Sequence, residues 1–472
     1  MELGTSVRTT RRNQFMMGVA RSLRKSCNTH RAHFKSEFPA TPKSYLGVGG
    51  VRNVGFTCPE MNDYHSNMET SYLPRAAAPL LEGLLRVFPV TVVMGARQVG
   101  KSTLVRHHPA LQGHLYLTLD DLDLRLQAEE APEALLQRGE RLVLDEVQRT
   151  PELLLALKRA VDQDRTPGRY VLTGSANILL LARLSETLAG RAVYLHLWPM
   201  TRRERLGLGQ TGPWGELLYR PFSEWPEVLK EQKGPQEDWR EAVARGGFPI
   251  PASLPHWEER TLWFRGYLQT YLERDVPALR AVEHLPELRR LLQALAFRAG
   301  GLLNQSELAR DLGLSQPTVH RYLNLLEVSF LLVRLPGYAR SRTKRLVKAP
   351  KPYLPDPALA LFMTGGEPSG AHLETLVLLD LLVFRDTQPD PPGLYYWRTA
   401  SGQEVDFVLE GRERLLPVEV KATPRPIPKD ARGLEAFLEE YPEAEGGLLL
   451  HGGEGIFPLV PRVLAAPWWA VI

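Results

Sequence analysis

The chain has 472 residues, enough for about three domains. Its apolar fraction of 43% is ordinary, no run approaches the length of a membrane span, and two cysteines cannot make a disulfide framework. The net charge of +4 is uneven: residues 1–67 hold 10 Lys/Arg against 4 Asp/Glu, and the rest hold 48 against 50, so the body is not generally basic. A cytoplasmic location is expected.

Residues 1–67 differ in kind and read as a disordered N-terminal extension. They contain Cys27 and Cys58, five of the eight asparagines and only three leucines. The break near Met68 favours an upstream extension, with Met61 or Met68 as initiator. An Arg-rich targeting peptide and a basic arm that touches nucleic acid are the competing readings. Arg11 and Arg12 lack the long apolar run of an export signal.

Val90-Thr-Val-Val-Met94 predicts a buried parallel strand. It runs into Gly95, Ala96, Arg97, Gln98, Val99, Gly100, Lys101 and Ser102, a full G-x-x-x-x-G-K-[ST] loop, and Thr103 opens a helix. The glycines let the backbone curl so that N–H groups face phosphate oxygens. Lys101 is expected on the β- and γ-phosphates of ATP and Ser102 on Mg²⁺. Arg141-Leu-Val-Leu-Asp145-Glu146 is a strand ending in two carboxylates. Asp145, at the tip of a strand expected to neighbour the phosphate-loop strand, is expected beside the loop in the Mg²⁺ shell, and Glu146 on the attacking water. Tyr170–Thr173 leads to Ser175 and Asn177, candidates for the γ-phosphate or water, with Thr173 as a third. Arg191 reads equally as a transition-state arginine or as half of an ion pair.

Together with Leu-Asp-Asp-Leu-Asp at 119–123, Leu-Asp-Glu-Val-Gln-Arg at 144–149, Leu-Thr-Gly-Ser-Ala-Asn at 172–177 and Leu-Ala-Gly-Arg at 188–191, this loop resembles one family. It is the prokaryotic AAA-type ATPases that carry a C-terminal domain of uncharacterised function. The resemblance runs from about Tyr72 to the C-terminus. It implies an AAA-type core, a winged helix and a restriction-endonuclease-like tail.

The expected fold class is α/β. An AAA-type P-loop parallel sheet over 68–207 has strands at 90–94, 115–119, 141–145, 169–173 and 193–197. Helix 151–164 turns Leu153, Leu154, Leu157 and Val161 inward. Asp120 and Asp121 read as helix caps or as helpers of Glu146. A helical lid or connector follows over 208–283, irregular to 235, then helical, with Tyr267 and Tyr271 in an i, i+4 row and Arg274 as a lid arginine.

A winged helix-turn-helix is expected over 284–340. Gln305–Leu312 and Ser315–Glu327 are its helices, Gly313 its turn, and Gln316, Thr318, His320, Arg321 and Asn324 its outward set. Residues 328–355 hold Arg334, Arg340, Arg342, Lys344, Arg345, Lys348 and Lys351 with no acidic residue. This basic run, 334–351, predicts nucleic acid, and DNA in particular, as partner. An acidic protein surface is the alternative, and an oligomer is compatible with either.

Residues 341–472 read as a C-terminal α/β, PD-(D/E)XK-like domain. Glu419 and Lys421 share one face of a strand, 415–421, read as the last of the core, and Asp406 lies on its neighbour. Asp406 and Glu419 on Mg²⁺, with Lys421 at the phosphoryl charge, would be metal-nuclease chemistry. By the resemblance, Glu374 is a helix-borne accessory carboxylate. The alternative is an inactive tail that, with the winged helix, binds protein partners in a nucleotide-switched scaffold.

Overall fold

Five short apolar runs build the first sheet of the protein: β1 (Val90–Gly95), β2 (Leu115–Thr118), β3 (Leu142–Asp145), β4 (Tyr170–Ser175) and β5 (Ala192–His196). The computed structural model describes residues 72–175, 187–232, 234–271 and 285–472. The extension 1–67, Asn177 and Arg274 lie outside the described residues.

All five strands are parallel, in the order β2-β3-β4-β1-β5. β1 has a neighbour on each side and helices over both faces, so all six of its residues are buried. That is why it lacks the alternation of a half-exposed strand. The expected adjacency of the carboxylate strand and the phosphate-loop strand is corrected here. β4 lies between β1 and β3. The helix Leu153–Gln163 buries Leu153, Leu154, Leu157 and Val161 as its periodicity required.

Residues 208–235 are more ordered than their Pro, Gly and Trp content suggested. They contain the helices Trp214–Tyr219 and Trp225–Lys230, each opened by a fully buried tryptophan. Pro213 and Pro226 sit at the helix starts, where a missing N–H breaks no helical bond. Helices Trp239–Arg245, Pro249–Ser253 and Trp257–Thr270 continue the region.

Helices Leu285–Phe297, Gln305–Leu312 and Gln316–Val328 follow. Asn304 caps the second by accepting from Ser306 and Glu307 N–H, and Ser315 caps the third by accepting from Thr318 N–H. Between them Gly313 takes φ +67, a conformation glycine adopts without penalty. Leu308, Ala309, Val319, Leu323 and Leu326 are buried, while Leu312 and Leu314 are half-buried. Strand β6 (Val333–Leu335) then pairs antiparallel with β7 (Lys351–Tyr353), carrying this ribbon across the 340/341 boundary read from the sequence.

The last sheet contains β8 (Gly393–Arg398), β9 (Glu404–Gly411), β10 (Arg414–Lys421), β11 (Gly447–His451), β12 (Phe457–Val460) and β13 (Val463–Pro467). Its order is β12-β13-β11-β10-β9-β8. β10 is therefore not the last core strand. The parallel β10–β11 pair needs a crossover, which the helix Arg432–Glu440 supplies.

The helix Gly370–Asp386 ties this sheet to the segment after the first one. Asp380 Oδ1 accepts from Gly212 N–H at 2.8 Å and from Trp214 Nε1–H at 2.6 Å. Burial pushes its pKa up to about 6, against the opposing pull of those donors. A raised carboxyl favours the fold while protonated, and that contribution is lost as pH rises through 6. The stability of the protein minus that of Asp380→Asn should fall by about 2 kcal/mol between pH 4 and 7 in urea titrations. A difference that stays flat or grows with pH would show that the carboxylate is held charged.

Candidate functional site

The phosphate loop starts where β1 meets β5. A Cβ on Gly95 would lie 2.1 Å from the Leu197 carbonyl oxygen, so only glycine fits. Gly100 takes φ +97 at the other end of the loop. Lys101 is nearly buried, and its Nζ donates to the carbonyls of Gly95 at 3.2 Å and Ala96 at 2.8 Å. The ammonium is thus held across the mouth of the loop.

Asp145 is the charge centre of the site and is 4% exposed. Ser102 Oγ donates to its Oδ1 at 3.0 Å. Thr173, on the intervening β4, donates to the same carboxylate, and so does the Tyr116 hydroxyl from β2. Burial, followed by the bond to Asp145, pushes the Tyr116 pKa up to about 12, so the phenol stays a donor. Glu146 takes φ +60, a costly left-handed conformation for a residue with a side chain. Its N–H meets Thr173 Oγ1 at 3.3 Å, and its carboxylate accepts from the Gln148 amide. The two oxygens of Ser102 and Asp145 are hard donors of the kind Mg²⁺ takes, so this pair fits the ion.

The other expected residues are less central. Arg191 makes a bidentate pair with Asp162, at 2.6 and 2.9 Å. Asp121 caps the helix Leu122–Glu130, and Asp120 pairs with Arg149. Sequence reading missed Tyr116 and Arg75. Arg75 is buried under the loop and donates to Val99 O at 2.8 Å, Trp198 O at 2.7 Å and Glu204 Oε1 at 3.0 Å. Its one sequence signal is a cation just ahead of a helix, too common to single out.

The C-terminal domain brings Asp406, Glu419 and Lys421 together. Lys421 Nζ meets Glu419 Oε1 at 2.5 Å, and Asp406 Oδ2 accepts from Val420 N–H at 2.9 Å. The remaining charge is met by Lys351, on β7, which is 1% exposed. Its ammonium pairs with Glu404 and lies 3.6 Å from Asp406 Oδ1. Glu374 accepts from the Tyr353 hydroxyl at 3.2 Å. Burial, then the Asp406 charge, lifts its pKa to about 8. Among the described residues no three Asp, Glu, His or Cys groups are placed to hold a metal ion. One Asp406 oxygen serves the backbone and the other faces an ammonium, while Glu419 Oε2 is buried with no hydrogen-bond partner.

Several cations of the basic run are paired within the chain. Arg334 pairs with Glu327 at 2.9 Å, Arg340 with Glu443 at 3.2 Å, Arg345 with Glu410 at 2.5 Å and Lys351 with Glu404. Lys348 donates to Tyr338 O at 2.9 Å. The carboxylates that neutralise the run lie elsewhere in sequence, so a window over 328–355 could not contain them. In the outward set of Gln316–Val328, Gln316, His320 and Arg321 are exposed, while Asn324 accepts from Arg334.

Breaking a buried ion pair from one side costs about 3–5 kcal/mol. Lys351→Met should destabilise the protein by that amount in urea unfolding, because Asp406 is left buried without its ammonium, while Glu404 keeps Arg398 at 2.9 Å. A loss below about 1 kcal/mol would mean water replaces the ammonium.

Residues 87–206 match the AAA domain family. Residues 236–370 match a domain of unknown function, DUF8612, and 369–471 match another, DUF4143. The chain is 29% identical over 402 residues to an uncharacterised protein of Mycobacterium tuberculosis, covering 83% of each. It is 23% identical over 359 residues to an uncharacterised protein of Haemophilus influenzae, covering 70% of this chain and 82% of that one. Among solved structures it resembles a Walker-type ATPase of Pyrococcus abyssi at 16% identity, covering 62% of this chain and 97% of that one, with a TM-score of 0.39. A score that low carries no argument. The AAA match, the parallel sheet and the phosphate loop agree, and the protein is a P-loop ATPase.

Proposed function

We propose that this ATPase uses the nucleotide cycle to switch contacts with a protein partner, with its helix-turn-helix and C-terminal domains as the docking scaffold. The observation that favours a protein partner over DNA is the fate of the basic run. Four of its seven cations are spent on carboxylates of the same chain. Phosphate binding draws its affinity from cations free to release counterions from the nucleic acid. In this reading the three helices and the β6–β7 ribbon are a winged helix used for packing. The C-terminal domain is a PD-(D/E)XK-like fold closed by Lys351.

Each residue of the ATP site then has a role. Loop N–H groups from Gly95 to Thr103 bind the phosphates, and Lys101 leaves its two carbonyls for the β- and γ-phosphate oxygens. Ser102 and Asp145 would hold Mg²⁺, which would offset the charge of the phosphates when bound. Glu146 orients and polarises the attacking water. Thr173 spans Asp145 and Glu146, fixing one carboxylate relative to the other. Asn177 is proposed on the γ-phosphate. Arg191 is proposed as a transition-state cation only if nucleotide binding breaks its pair with Asp162.

The test separates binding from turnover. Lys101→Ala should abolish nucleotide binding. Glu146→Gln should bind ATP normally and hydrolyse it about a hundredfold or more slower. Full turnover in Glu146→Gln would remove Glu146 from its role. Duplex DNA titrated across a range of salt should show no change of slope on replacing Arg342 and Lys344 by Ala. A log–log slope lowered by about one unit per lost cation would restore DNA as the partner.

A further inference from the structure

Tyr116 stands on β2, at the edge of the first sheet. In the β2–β3 register it pairs with Val143, and Thr118 stands opposite Asp145. Asp145 is two residues beyond Val143 and shares its face, so Tyr116 reaches the carboxylate along a diagonal that suits a long side chain. Thr118, the direct neighbour, turns its hydroxyl to Asp120 N–H at 3.3 Å.

The two oxygens of Asp145 have different partners. Oδ1 accepts from Ser102 at 3.0 Å and from Thr173. Oδ2 accepts from the Tyr116 hydroxyl. That hydroxyl in turn accepts from Arg106 Nη2 at 2.9 Å, and the Arg106 guanidinium lies 4.3 Å from the centre of the Tyr116 ring. A phenol has one proton, and a guanidinium can only donate. With Arg106 donating to its oxygen, the phenol commits that proton to Asp145. Arg106 is exposed and lies on the helix Lys101–His107, which follows the phosphate loop. The helix that carries Ser102 therefore also carries the group that orients Tyr116.

We propose that Tyr116 is a positioning residue for the Mg²⁺ pair: its bond to Oδ2 fixes the Asp145 carboxylate with Oδ1 turned toward Ser102, and Arg106 fixes the phenol. The proposal rests on the ATPase reading and adds to it a determinant of metal affinity. Donors on both oxygens hold a carboxylate in one plane, whereas donors on one oxygen alone let the other swing. A hydrogen bond behind a ligating group commonly changes metal affinity by about 10- to 100-fold.

The test measures metal binding apart from turnover. Mn²⁺, which takes the same hard oxygen donors as Mg²⁺, is titrated into the ADP complex of the full chain and followed by electron paramagnetic resonance. ADP affinity is measured separately in EDTA. Tyr116→Phe, which removes the hydroxyl and keeps the ring, should weaken Mn²⁺ binding about tenfold and leave ADP affinity in EDTA unchanged. Arg106→Met should weaken Mn²⁺ binding by a smaller factor, because the freed phenol then shares its proton with water. An unchanged Mn²⁺ affinity in Tyr116→Phe would overturn the proposal. So would an equal loss of ADP affinity in EDTA, which would make the phenol a support of the fold. Wild-type protein that binds no ADP in either condition would remove the ATPase reading, and the proposal with it.

Discussion

The nucleotide site depends on one buried carboxylate. Asp145 is the convergence point of the phosphate loop through Ser102, of β2 through Tyr116 and of β4 through Thr173. A carboxylate removed from water must recover its lost hydration from such donors. The strand order provides them. Because β4 lies between β1 and β3, a threonine at its C-terminal end can span the gap between the loop and the acidic strand. The same threonine reaches the backbone of Glu146, whose left-handed conformation needs support from its neighbours. Geometry at this site is therefore held by a polar cluster rather than by any one loop.

Much of this was legible in the sequence because the governing patterns are local. The loop spacing, the β-branched run before it and the acidic pair after β3 all lie within short windows, and the strands fall within a residue or two of their expected places. The turn between those helices was equally legible: Gly313 sits where expected, and Ser315, read as the start of the next helix, caps it. Tyr116 and Arg75 were not legible. Their partners, Asp145 and Val99, are brought to them by the fold alone. The prolines of 208–235 misled for a different reason, since proline at a helix start favours what it forbids inside.

The charges of 334–351 show how a sequence window can count correctly and still mislead. No acidic residue lies within 328–355, yet Glu327, Glu404, Glu410 and Glu443 reach the run in space. Arg345 is further held between the rings of Tyr338 and Tyr395, at 4.3 and 4.8 Å. A guanidinium stacked and paired in this way is a structural group. Lys351 follows the same logic at the D…E-x-K cluster. A pattern of carboxylates and lysine describes a metal site and a closed ion-pair network equally well. In the fold, the ammonium of Lys351 faces Asp406.

These pairs also join the parts of the chain into a mechanical path. Arg75 links Val99 of the phosphate loop to the Trp198 carbonyl just beyond β5. The Trp198 indole in turn donates to Asp386 at 2.7 Å, at the end of the helix Gly370–Asp386. Phe330, at the end of the helix-turn-helix, packs edge-on against Trp198 and His196, at 5.1 and 5.4 Å. Loop, helix-turn-helix and C-terminal helix thus meet at one tryptophan. Packed interiors respond to small displacements by moving between discrete arrangements rather than deforming smoothly. A nucleotide that moves the Val99 carbonyl must carry Arg75 with it or break its bond. Either outcome bears on the Trp198 carbonyl, which Arg75 also holds.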